Sequence, residues 1–372
     1  MADFIPTDSI TRVLTAVPLC DGHDSAVMAV NQQLIRRGFE VVYLGYHRSV
    51  DEIVRAAIQE DVAAIGISSY NGGHLDFFRE LVAALRERGR SDIGVFGGGG
   101  GTITPTDVME MKGFGVDEVF LAGSSFEDIA QRLHEIYGDK ECGRISSSRS
   151  SLNDSDLGLL LSGAESDLVA SRGAAKVIGF TGPGGAGKTT LIDEWIRGYL
   201  AETTTGRVAV LTHDPSSLDK GGLLADRATM VYSQDDRVFI RSLATRGKQG
   251  GLAPSTEHCL KWLTSELAGF DHVLIETVGT GQEALPFLSD WVDVQVLVLH
   301  PEYGARLQLQ KILMLEVADA VVVNKTDWAG SARAVEEIQS QLDMRVGGVL
   351  YQTQASEHGN GGVTRFREEL LK

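Results

Sequence analysis

The sequence predicts an α/β protein with two domains, each built on a mainly parallel β-sheet. Short β-branched runs alternate with amphipathic stretches along the chain, a pattern typical of strand–helix–strand units whose sheets are covered on both faces. A serine cluster at residues 146–151 separates two such series. The length of 372 residues also exceeds what one small domain needs.

The first series predicts a doubly wound sheet. Its strands are expected at residues 10–19, 41–44, 62–68, 93–96 and 118–121, and its helices at residues 27–37, 50–59, 75–87 and 126–137. In the first of these helices, Val27, Val30 and Leu34 recur at helical spacing and predict one buried face. We place this domain at residues 8–140.

The second series follows a predicted linker. Residues 141–173 combine the serine cluster with an acidic, small-residue stretch, which indicates a flexible linker with a short helix near residues 156–161. The second domain is then placed at residues 174–372. Its strands are expected at residues 176–180, 208–211, 273–275, 294–299, 320–323 and 348–351.

The composition argues against several classes of protein. The chain carries 51 acidic and 34 basic residues, a net charge of −17, which makes it a poor partner for a nucleic-acid phosphate backbone. No apolar run approaches the ~18 residues of a membrane-spanning helix, and no secretory signal follows Met1. Cys20, Cys142 and Cys259 are too widely spaced for a zinc or disulfide pattern. We therefore expect a cytoplasmic protein that binds neither membranes nor nucleic acid.

The most specific motif is a phosphate-binding loop. Residues 182–189 read Gly-Pro-Gly-Gly-Ala-Gly-Lys-Thr, a full G-x-x-x-x-G-K-[ST] between an apolar strand and a helical pattern. Glycines allow successive backbone N–H groups to point into one concavity at a helix N-terminus, where phosphate binds. Lys188 is expected to neutralise the β- and γ-phosphates, and the Thr189 hydroxyl to bind Mg²⁺. The predicted phosphate contacts are Gly182, Gly184, Gly185, Ala186, Gly187, Lys188, Thr189 and Thr190.

A second motif predicts guanine as the base. Asn324, Lys325 and Asp327 form N-K-x-D directly after the predicted strand at residues 320–323. An ionised Asp327 accepts hydrogen bonds from the N1–H and the exocyclic amine of guanine, whereas adenine offers no donors there. Ala355, in the loop after the last strand, is expected to present a backbone N–H to the guanine O6. The sequence therefore predicts GTP rather than ATP.

Three acidic residues are candidates for a magnesium site. Asp214 and Glu276 each end a predicted strand, and the carboxyl ends of neighbouring parallel strands face the phosphates in this architecture. Asp226, in a glycine-bearing stretch, is the third candidate, and a solvated loop acid is the alternative for each. Residues 214–230 and 279–283 are expected to be switch segments that respond to the γ-phosphate. The predicted catalytic set is Lys188, Thr189, Asp214 and Glu276.

The second domain resembles one family of G proteins. Beyond the phosphate loop and N-K-x-D, it carries in order Asp-Pro-Ser at 214–216, Asp-Arg at 226–227, Arg-Ser-Leu-Ala-Thr-Arg-Gly at 241–247 and Glu-Thr-Val-Gly-Thr-Gly-Gln at 276–282. These runs resemble the MeaB/ArgK class of G-protein metallochaperones, and the resemblance implies a GTPase that assists adenosylcobalamin-dependent acyl-CoA mutases. The chain departs from the family pattern at Thr229, where the family has arginine. It also has one residue fewer between Gly222 and Asp226.

Polar and glycine-rich loops follow three strands of the first domain. Asp21 and His23 follow its first strand, Ser68 follows its third, and a run of glycines at residues 97–101 follows its fourth. The carboxyl ends of parallel strands are where such sheets bind ligands. A histidine offers a neutral nitrogen to a metal, a nearby carboxylate orients its ring, and small residues leave a slot beside the sheet. A purely structural histidine is the alternative that these residues alone leave open.

The spacing of these loops resembles the B12-binding domain of the mutases, whose signature is D-x-H-x-x-G, then S-x-L, then G-G. The resemblance implies a flavodoxin-like fold in which His23 is the lower axial ligand of cobalt, with Asp21 as its partner. The glycine pair would shape the wall of a slot for the nucleotide tail of cobalamin, with Ser68 beside it. The family's glycine and leucine are replaced here by Ala26 and Tyr70. The implied cobalamin contacts are Asp21, Gly22, His23, Ser68, Tyr70, Gly98 and Gly99.

The order of the two domains resembles the front part of the fused isobutyryl-CoA mutase family, which continues into a mutase body. That body contains a TIM barrel of ~250 residues, whereas 21 residues follow Tyr351 here. The resemblance implies a GTPase that gates adenosylcobalamin loading or repair for the large, TIM-barrel subunit of an isobutyryl-CoA or 2-hydroxyisobutyryl-CoA mutase. Two alternatives stay open: a natural subunit that partners a separate large subunit, or a part cut from a fused protein. An adenosyltransferase that supplies the cofactor and a second copy of the chain, as a homodimer, are further expected partners. The alternative is a non-enzymatic cobalamin carrier or sensor whose G domain binds nucleotide but hydrolyses it poorly, which Thr229 favours.

Overall fold

The computed structural model describes residues 10–19, 25–70, 72–99, 101–138, 144–145, 149–216, 221–279, 290–304, 314–343 and 349–371. The chain divides into two compact units. The first unit comprises Met1–Val169 together with Ser216–Ala228, and the second unit comprises Ala170–Pro215 together with Thr229–Lys372.

Strands and helices alternate along the described residues. The strands are β1 (Arg12–Ala16), β2 (Glu40–Tyr43), β3 (Ala64–Ser68), β4 (Gly94–Gly98), β5 (Glu118–Phe120), β6 (Arg144–Ile145), β7 (Glu165–Ser166), β8 (Lys176–Thr181), β9 (Val208–Asp214), β10 (Gly222–Leu224), β11 (Val238–Ala244), β12 (His272–Glu276), β13 (Val294–Leu299), β14 (Ala320–Val323) and β15 (Val349–Gln352). The helices are α1 (Ser25–Arg36), α2 (Val50–Gln59), α3 (His74–Glu87), α4 (Pro105–Phe114), α5 (Phe126–Tyr137), α6 (Asp154–Leu161), α7 (Lys188–Glu202), α8 (Thr256–Leu263), α9 (Met314–Val317), α10 (Ser331–Leu342) and α11 (Gly361–Leu370).

The first unit contains a parallel sheet in the order β10-β2-β1-β3-β4-β5. Strands β2-β1-β3-β4-β5 follow the flavodoxin-like order, in which successive strands are added on one side of β1 and then, from β3 onward, on its other side. Helix α1 packs beside α5, whereas α3 packs beside both α2 and α4. Every residue of β1 and β3 is buried, as expected for strands covered on both faces. The predicted flavodoxin-like fold is confirmed.

The second unit contains a seven-stranded parallel sheet in the order β11-β9-β12-β8-β13-β14-β15. Strand β8 lies in the middle, and the phosphate loop leads from it into α7. One hydrophobic core of this unit contains Phe180 of β8, Trp195 of α7 and Phe366 of α11. The central residues of β8 and β12 and all residues of β14 are apolar and buried, as expected for strands of a parallel sheet that is covered on both faces. The predicted P-loop α/β domain is confirmed.

Part of the predicted linker packs as a helix of the first unit. Helix α6 begins at an Asn153 cap, where the Asn153 side chain and Asp156 form a reciprocal capping box. Leu157 and Leu160 are fully buried, and a Cβ on Gly158 would lie 2.4 Å from the Ile58 carbonyl oxygen. This close approach between α6 and α2 requires glycine. The stretch at residues 154–161 therefore contributes to the core.

The structure also differs from the predicted boundaries at residues 216–228. The sequence assigns this segment to the second domain, but the segment belongs to the first unit, where β10 extends the sheet beyond β2. Strand β11, which pairs with β9, was missed as well. Over the described part of the chain, no helix has the length and apolar character needed to cross a membrane.

Candidate functional site

The phosphate loop connects β8 to α7 through glycines with left-handed backbone. Gly182, Gly185 and Gly187 have φ angles of 139°, 76° and 84°. A Cβ on Gly182 would lie 2.0 Å from the Val298 carbonyl oxygen, so only glycine fits there. The backbone of Gly184 is close to that of Gly279, where a Cβ would come within 2.6 Å of the Gly184 Cα. The loop thus has the conformation that the motif predicts.

Lys188 is the first residue of α7 and is only 6% exposed. Its ammonium group donates hydrogen bonds to the carbonyl oxygens of Gly182 and Pro183, at 3.1 and 3.4 Å. The loop therefore surrounds a buried cation at a helix N-terminus, where the backbone N–H groups add partial positive charge. Within the loop, the side chain of Ala186 is buried. Thr190, on the first turn of α7, is exposed. This arrangement fits a polyphosphate.

Hydroxyl and carboxylate oxygens meet next to the phosphate loop. The Thr189 hydroxyl donates to Glu276 Oε1 at 2.7 Å, and Glu276 is 4% exposed at the end of β12. Strand β9 pairs with β12 in a register that matches Thr212 with Glu276. Asp214 lies two residues beyond Thr212, at the carboxyl end of β9. Asp214 is also buried. Hard oxygen ligands of this kind fit Mg²⁺, so the side chains of Thr189, Asp214 and Glu276 suit the ion.

Asp226, the third predicted magnesium ligand, lies in the first unit. It begins the 3₁₀ helix Asp226–Thr229 directly after β10. Over the described residues, no group of three or more His, Cys, Asp or Glu side chains could hold a metal ion together. The structure thus brings Thr189 and Glu276 into contact and places Asp226 in the other unit.

A buried histidine connects the ends of β9 and β12, which sequence reasoning missed. The His213 ring lies between the Glu276 carbonyl oxygen, 2.8 Å from Nδ1, and the Thr256 hydroxyl, 2.9 Å from Nε2. Burial lowers the pKa of His213 to about 4, so the ring is neutral near pH 7. A neutral ring donates from Nδ1 to the carbonyl and accepts at Nε2. The only signal in the sequence is that His213 precedes Asp214.

At the predicted base end, Asn324 joins the phosphate loop to the loop after β15. Its amide Nδ2 donates to the Ala186 carbonyl oxygen at 3.0 Å. Its Oδ1 accepts from the Thr353 hydroxyl and from the Ala355 N–H, both at 3.0 Å. A Cβ on Gly187 would lie 2.5 Å from Nδ2, so this contact also requires glycine. Asn324 therefore holds the phosphate and base loops in one arrangement.

The remaining residues of N-K-x-D lie at the surface. Lys325 has a φ of 61°, and its ammonium lies 4.4 Å from the centre of the Trp328 ring, within cation–π range. Asp327 is exposed, as a residue that binds an incoming base must be. Trp328 is half-exposed beside it, and its position directly after Asp327 is a signal that sequence reasoning did not use.

In the first unit, a cavity opens at the carboxyl ends of β3 and β4. Its volume is about 340 Å³, and its walls come from both strands, α1, α5 and the loop before α5. The lining residues include Ala26, Ser68, Tyr70, Gly98, Gly99 and Phe126. The predicted slot therefore exists, and four of its lining residues are ones that the B12-domain resemblance implied: Ser68, Tyr70, Gly98 and Gly99.

The glycines of β4 let neighbouring backbones approach closely at this cavity. A Cβ on Gly99 would lie 1.8 Å from the Ser69 carbonyl oxygen, and one on Gly98 would lie 3.0 Å from the Phe120 carbonyl oxygen. Gly98 and Gly99 therefore form a part of the wall in which neighbouring backbones pack closely, whereas side chains such as Phe96 and Phe120 line other parts of the cavity. Asp21, Gly22 and His23 lie outside the described residues, so their roles stay predictions.

The two sites define a P-loop nucleotide-binding domain in one chain with a flavodoxin-like domain that has a ligand slot. Residues 161–355 match the family "Methylmalonyl Co-A mutase-associated GTPase MeaB", and residues 11–130 match the "B12 binding domain" family. The chain therefore belongs to the MeaB family of GTPases and carries a B12-binding domain in front of the GTPase domain.

Curated relatives share this domain order. The chain is 36% identical over 394 residues to the fused isobutyryl-CoA mutase of Cupriavidus metallidurans, an alignment that covers 97% of this chain and 35% of the relative. It is 36% identical to the fused isobutyryl-CoA mutase of Geobacillus kaustophilus, over 89% of this chain and 32% of the relative. The GTPase part is 40% identical to the mouse "methylmalonic aciduria type A homolog, mitochondrial", over 40% of this chain and 35% of that protein. The chain thus spans about a third of the length of the fused relatives.

Proposed function

We propose that the chain hydrolyses GTP and uses the nucleotide cycle to gate the loading or repair of adenosylcobalamin on its B12-binding domain. The acceptor would be an acyl-CoA mutase of the isobutyryl-CoA or 2-hydroxyisobutyryl-CoA type. The observation that carries this proposal is the Thr189–Glu276 contact beside the buried ammonium of Lys188. This contact brings two candidate magnesium ligands together next to the candidate phosphate site. The same chain has a cavity in its B12-binding domain.

Each residue of the nucleotide site has a defined task in this proposal. Mg²⁺, when bound, supplies positive charge at the phosphates, and Thr189, Asp214 and Glu276 would hold it. Lys188 exchanges its carbonyl partners for phosphate oxygens and stabilises charge on the transferring phosphoryl group. Asp327 accepts hydrogen bonds from guanine. The Ala355 N–H donates to Asn324 Oδ1 in the structure. We propose that, when guanine is bound, this N–H donates to the guanine O6, either in place of Asn324 Oδ1 or in addition to it.

The cobalamin site is proposed from the cavity and the loop that precedes α1. Ser68 and the backbone of Gly98 and Gly99 would contact the nucleotide tail, which the volume of about 340 Å³ can receive in part. His23, oriented by Asp21, would supply a ring nitrogen to the cobalt. The cofactor, when bound, would supply a weak cobalt–carbon bond for radical rearrangement on the partner mutase.

The partners follow from the relatives. Because relatives of this chain are named fused isobutyryl-CoA mutase, we propose that the large, TIM-barrel subunit of an acyl-CoA mutase carries out the rearrangement. An adenosyltransferase would deliver the cofactor, and the chain would act as a homodimer in the cytoplasm. The net charge of −17 supports small-molecule and protein partners rather than nucleic acid.

A second candidate is a cobalamin carrier or sensor with slow GTP turnover. Thr229 favours it, since this residue ends the 3₁₀ helix after β10 with an exposed, uncharged side chain where the family has arginine. One experiment separates the candidates: the full chain is mixed with adenosylcobalamin and GTP, and the visible spectrum and phosphate release are recorded with and without a candidate large subunit. The chaperone function requires two results: a visible spectrum of protein-bound cobalamin, and a rate of phosphate release that increases when the large subunit is added. Bound cobalamin without stimulated release supports the carrier.

A further inference from the structure

The stretch at residues 221–228, which we call the coupling segment, is built into the sheet of the B12-binding domain. The flanking parts of the chain, Ala170–Pro215 and Thr229–Lys372, belong to the second unit. Within the coupling segment, β10 pairs in parallel with β2, matching Gly222 with Glu40 and Leu224 with Val42. An edge strand is thus added to the cobalamin sheet from a distant part of the sequence.

Backbone contacts hold the start of the coupling segment. The Gly221 N–H donates to the Ile35 carbonyl oxygen of α1 at 2.9 Å. A Cβ on Gly221 would lie 1.7 Å from the Phe39 carbonyl oxygen, so no other residue fits at this approach. At the other end, the Arg48 guanidinium donates to the Ala228 carbonyl oxygen at 2.7 Å. The segment is therefore bound to the first unit at both ends.

A buried arginine holds the segment by its side chain. Arg227 is 2% exposed, and its guanidinium donates to Gln59 Oε1 at 2.7 Å and lies 3.7 Å from Glu60 Oε1. Glu60 is fully buried and also pairs with Arg12 at 2.9 Å. Burial lowers the pKa of Arg227 to about 10, which leaves it charged near pH 7. Pulling the segment away would strand buried charges, and that is costly.

The coupling segment also packs against a core cluster that includes residues of the cavity. Leu224 is fully buried, and Leu223 packs against the core cluster that contains Val13, Leu34 and Phe39. Val30 of α1 packs against the same cluster and lines the cavity. A shift of β10 therefore acts on residues that are in contact with the cavity wall.

On both sides of the segment, the chain is fixed at the nucleotide site. Asp214, a proposed magnesium ligand, lies shortly before it in the second unit. After it, the Asp193 carboxylate of α7 accepts hydrogen bonds from the N–H groups of Val231 and Tyr232, both at 3.0 Å. Helix α7 also carries Lys188 and Thr189. The chain therefore enters the coupling segment from the end of β9 and leaves it toward residues that are bound to α7, and both elements carry residues of the proposed nucleotide site.

We propose that the coupling segment is a permanently attached strand of the cobalamin sheet that transmits the nucleotide state of the GTPase to the cavity. The inference rests on the proposed function, and it assigns the transmission to β10 and Arg227. The strand stays paired with β2 throughout the cycle, since its burial and its ion pair favour one bound arrangement. Nucleotide-dependent shifts at its two ends are then passed to Leu223 and the cavity wall.

The test is the nucleotide dependence of adenosylcobalamin affinity in the full chain. We expect the dissociation constants with GDP and with a non-hydrolysable GTP analogue to differ about fivefold or more, the usual range for coupled sites. Arg227→Met should bring this ratio close to one, while the affinity for a fluorescent guanine nucleotide stays within about twofold. The matched control is Arg90→Met. Arg90 is another buried arginine of the first unit, paired with Asp61 at 2.8 Å and outside the coupling segment, so its loss should leave the ratio unchanged.

A cross-link tests whether the strand must detach. Val41 and Leu223 are register partners in β2 and β10, and adjacent strands lie within the Cα separation that a disulfide spans. In the double variant Val41→Cys, Leu223→Cys, the oxidised protein should keep the same affinity ratio as its own reduced form. This comparison cancels any effect of the substitutions on folding.

The outcomes separate this inference from the proposed function. If the wild-type chain binds no cobalamin, or if its affinity ignores the nucleotide, the proposed function and this inference both fail. If the wild type responds and Arg227→Met responds equally, the coupling segment alone is wrong. A response lost in Arg90→Met as well as in Arg227→Met would point to general destabilisation and overturn the specific role of Arg227. A response abolished by oxidation of the cysteine pair would show that β10 has to detach, against a permanent attachment.

Discussion

Among single residues, Lys188 carries the largest share of the proposed chemistry. It places a buried positive charge inside a loop of backbone N–H groups, and residues 182–189 contain no second basic side chain. The loop conformation itself depends on glycine φ angles and not on this side chain. Removing the ammonium should therefore impair phosphate chemistry without unfolding the loop.

Lys188→Ala should lower the rate of GTP hydrolysis about 10²-fold or more, the usual cost of losing one charge-stabilising group. Phosphate release measures the effect, and the visible spectrum of bound adenosylcobalamin, which should be unchanged, serves as the control. GTP turnover equal to that of the wild type would refute the role of Lys188.

The base-reading residue is tested by a change of base. Asp327→Asn replaces an acceptor with an amide that donates, so it should weaken GTP binding about tenfold to 100-fold. Binding of xanthosine triphosphate, whose extra carbonyl accepts such a donor, should improve. Competition against a fluorescent nucleotide measures both affinities. A variant with an unaltered preference for guanine would show that Asp327 does not contact the base.

The predicted cobalt ligand has a spectroscopic signature. His23→Ala should abolish the visible spectrum of cobalamin whose lower ligand is a protein histidine, because the imidazole nitrogen is lost. His47→Ala is the matched control, since His47 is an exposed histidine whose Nδ1 lies 3.1 Å from the Leu19 carbonyl oxygen after β1. If both variants keep the wild-type spectrum, His23 is not the ligand.

At the scale of elements, the ends of β9 and β12 must be held together for Asp214 and Glu276 to face one site. His213 does this through the Glu276 carbonyl and the Thr256 hydroxyl. Pairing between β9 and β12 ends at Thr212 and Glu276, so this ladder alone does not determine how Asp214 lies relative to Glu276. The histidine is therefore a positioning residue for the proposed magnesium ligands.

His213→Phe should destabilise the protein by about 1–3 kcal/mol, because the Glu276 carbonyl loses its hydrogen bond from the buried ring, whereas the Thr256 hydroxyl keeps the Ala253 carbonyl oxygen as a partner. It should also raise the Mg²⁺ concentration needed to slow the release of a fluorescent GDP. His213→Asn, whose amide can still donate to the Glu276 carbonyl, should restore most of the Mg²⁺ dependence. Denaturant unfolding separates the loss of stability from the positioning effect. Equal Mg²⁺ dependence in His213→Phe and the wild type would reject the positioning role.

Local signals predicted the elements that form within a short stretch of chain. The phosphate loop requires particular glycines at particular φ angles, so its motif was sufficient to locate it. Helix α6 was expected as a short helix, but its burial was not, because the serine-rich composition around it is typical of a linker. Its contacts with Ile58 and Gln59 are visible only in the folded chain.

On the scale of the whole molecule, the chain passes from the GTPase unit into the B12-binding unit and back between Pro215 and Thr229. The two units are thus joined by the coupling segment as well as by the connection at Val169 and Ala170. Because the chain enters the first unit and returns to the second, the proposed nucleotide site is linked through the backbone to the sheet of the B12-binding domain.

Hydrogen exchange of the full chain can verify this interleaving. Amides of residues 222–224 that donate to β2 should exchange much more slowly than those of an exposed loop, because β10 is paired with β2 along one side. Arg227→Met should speed their exchange, whereas Arg90→Met should leave it unchanged. Rapid exchange of residues 222–224 in the wild type, comparable to that of an exposed loop, would contradict their place in the sheet.

Local sequence was enough to predict the α/β class, the phosphate loop, the N-K-x-D motif at the end of β14 and the glycines that line the cavity. These features depend on local backbone geometry and on side-chain chemistry within a few residues of one another. Only the tertiary structure decided that residues 221–228 join the sheet of the first unit, that Arg227 pairs with Glu60, and that His213 connects two strand ends. Each of these contacts joins residues far apart in the chain, and its free energy comes from burial and pairing that no short stretch of sequence records.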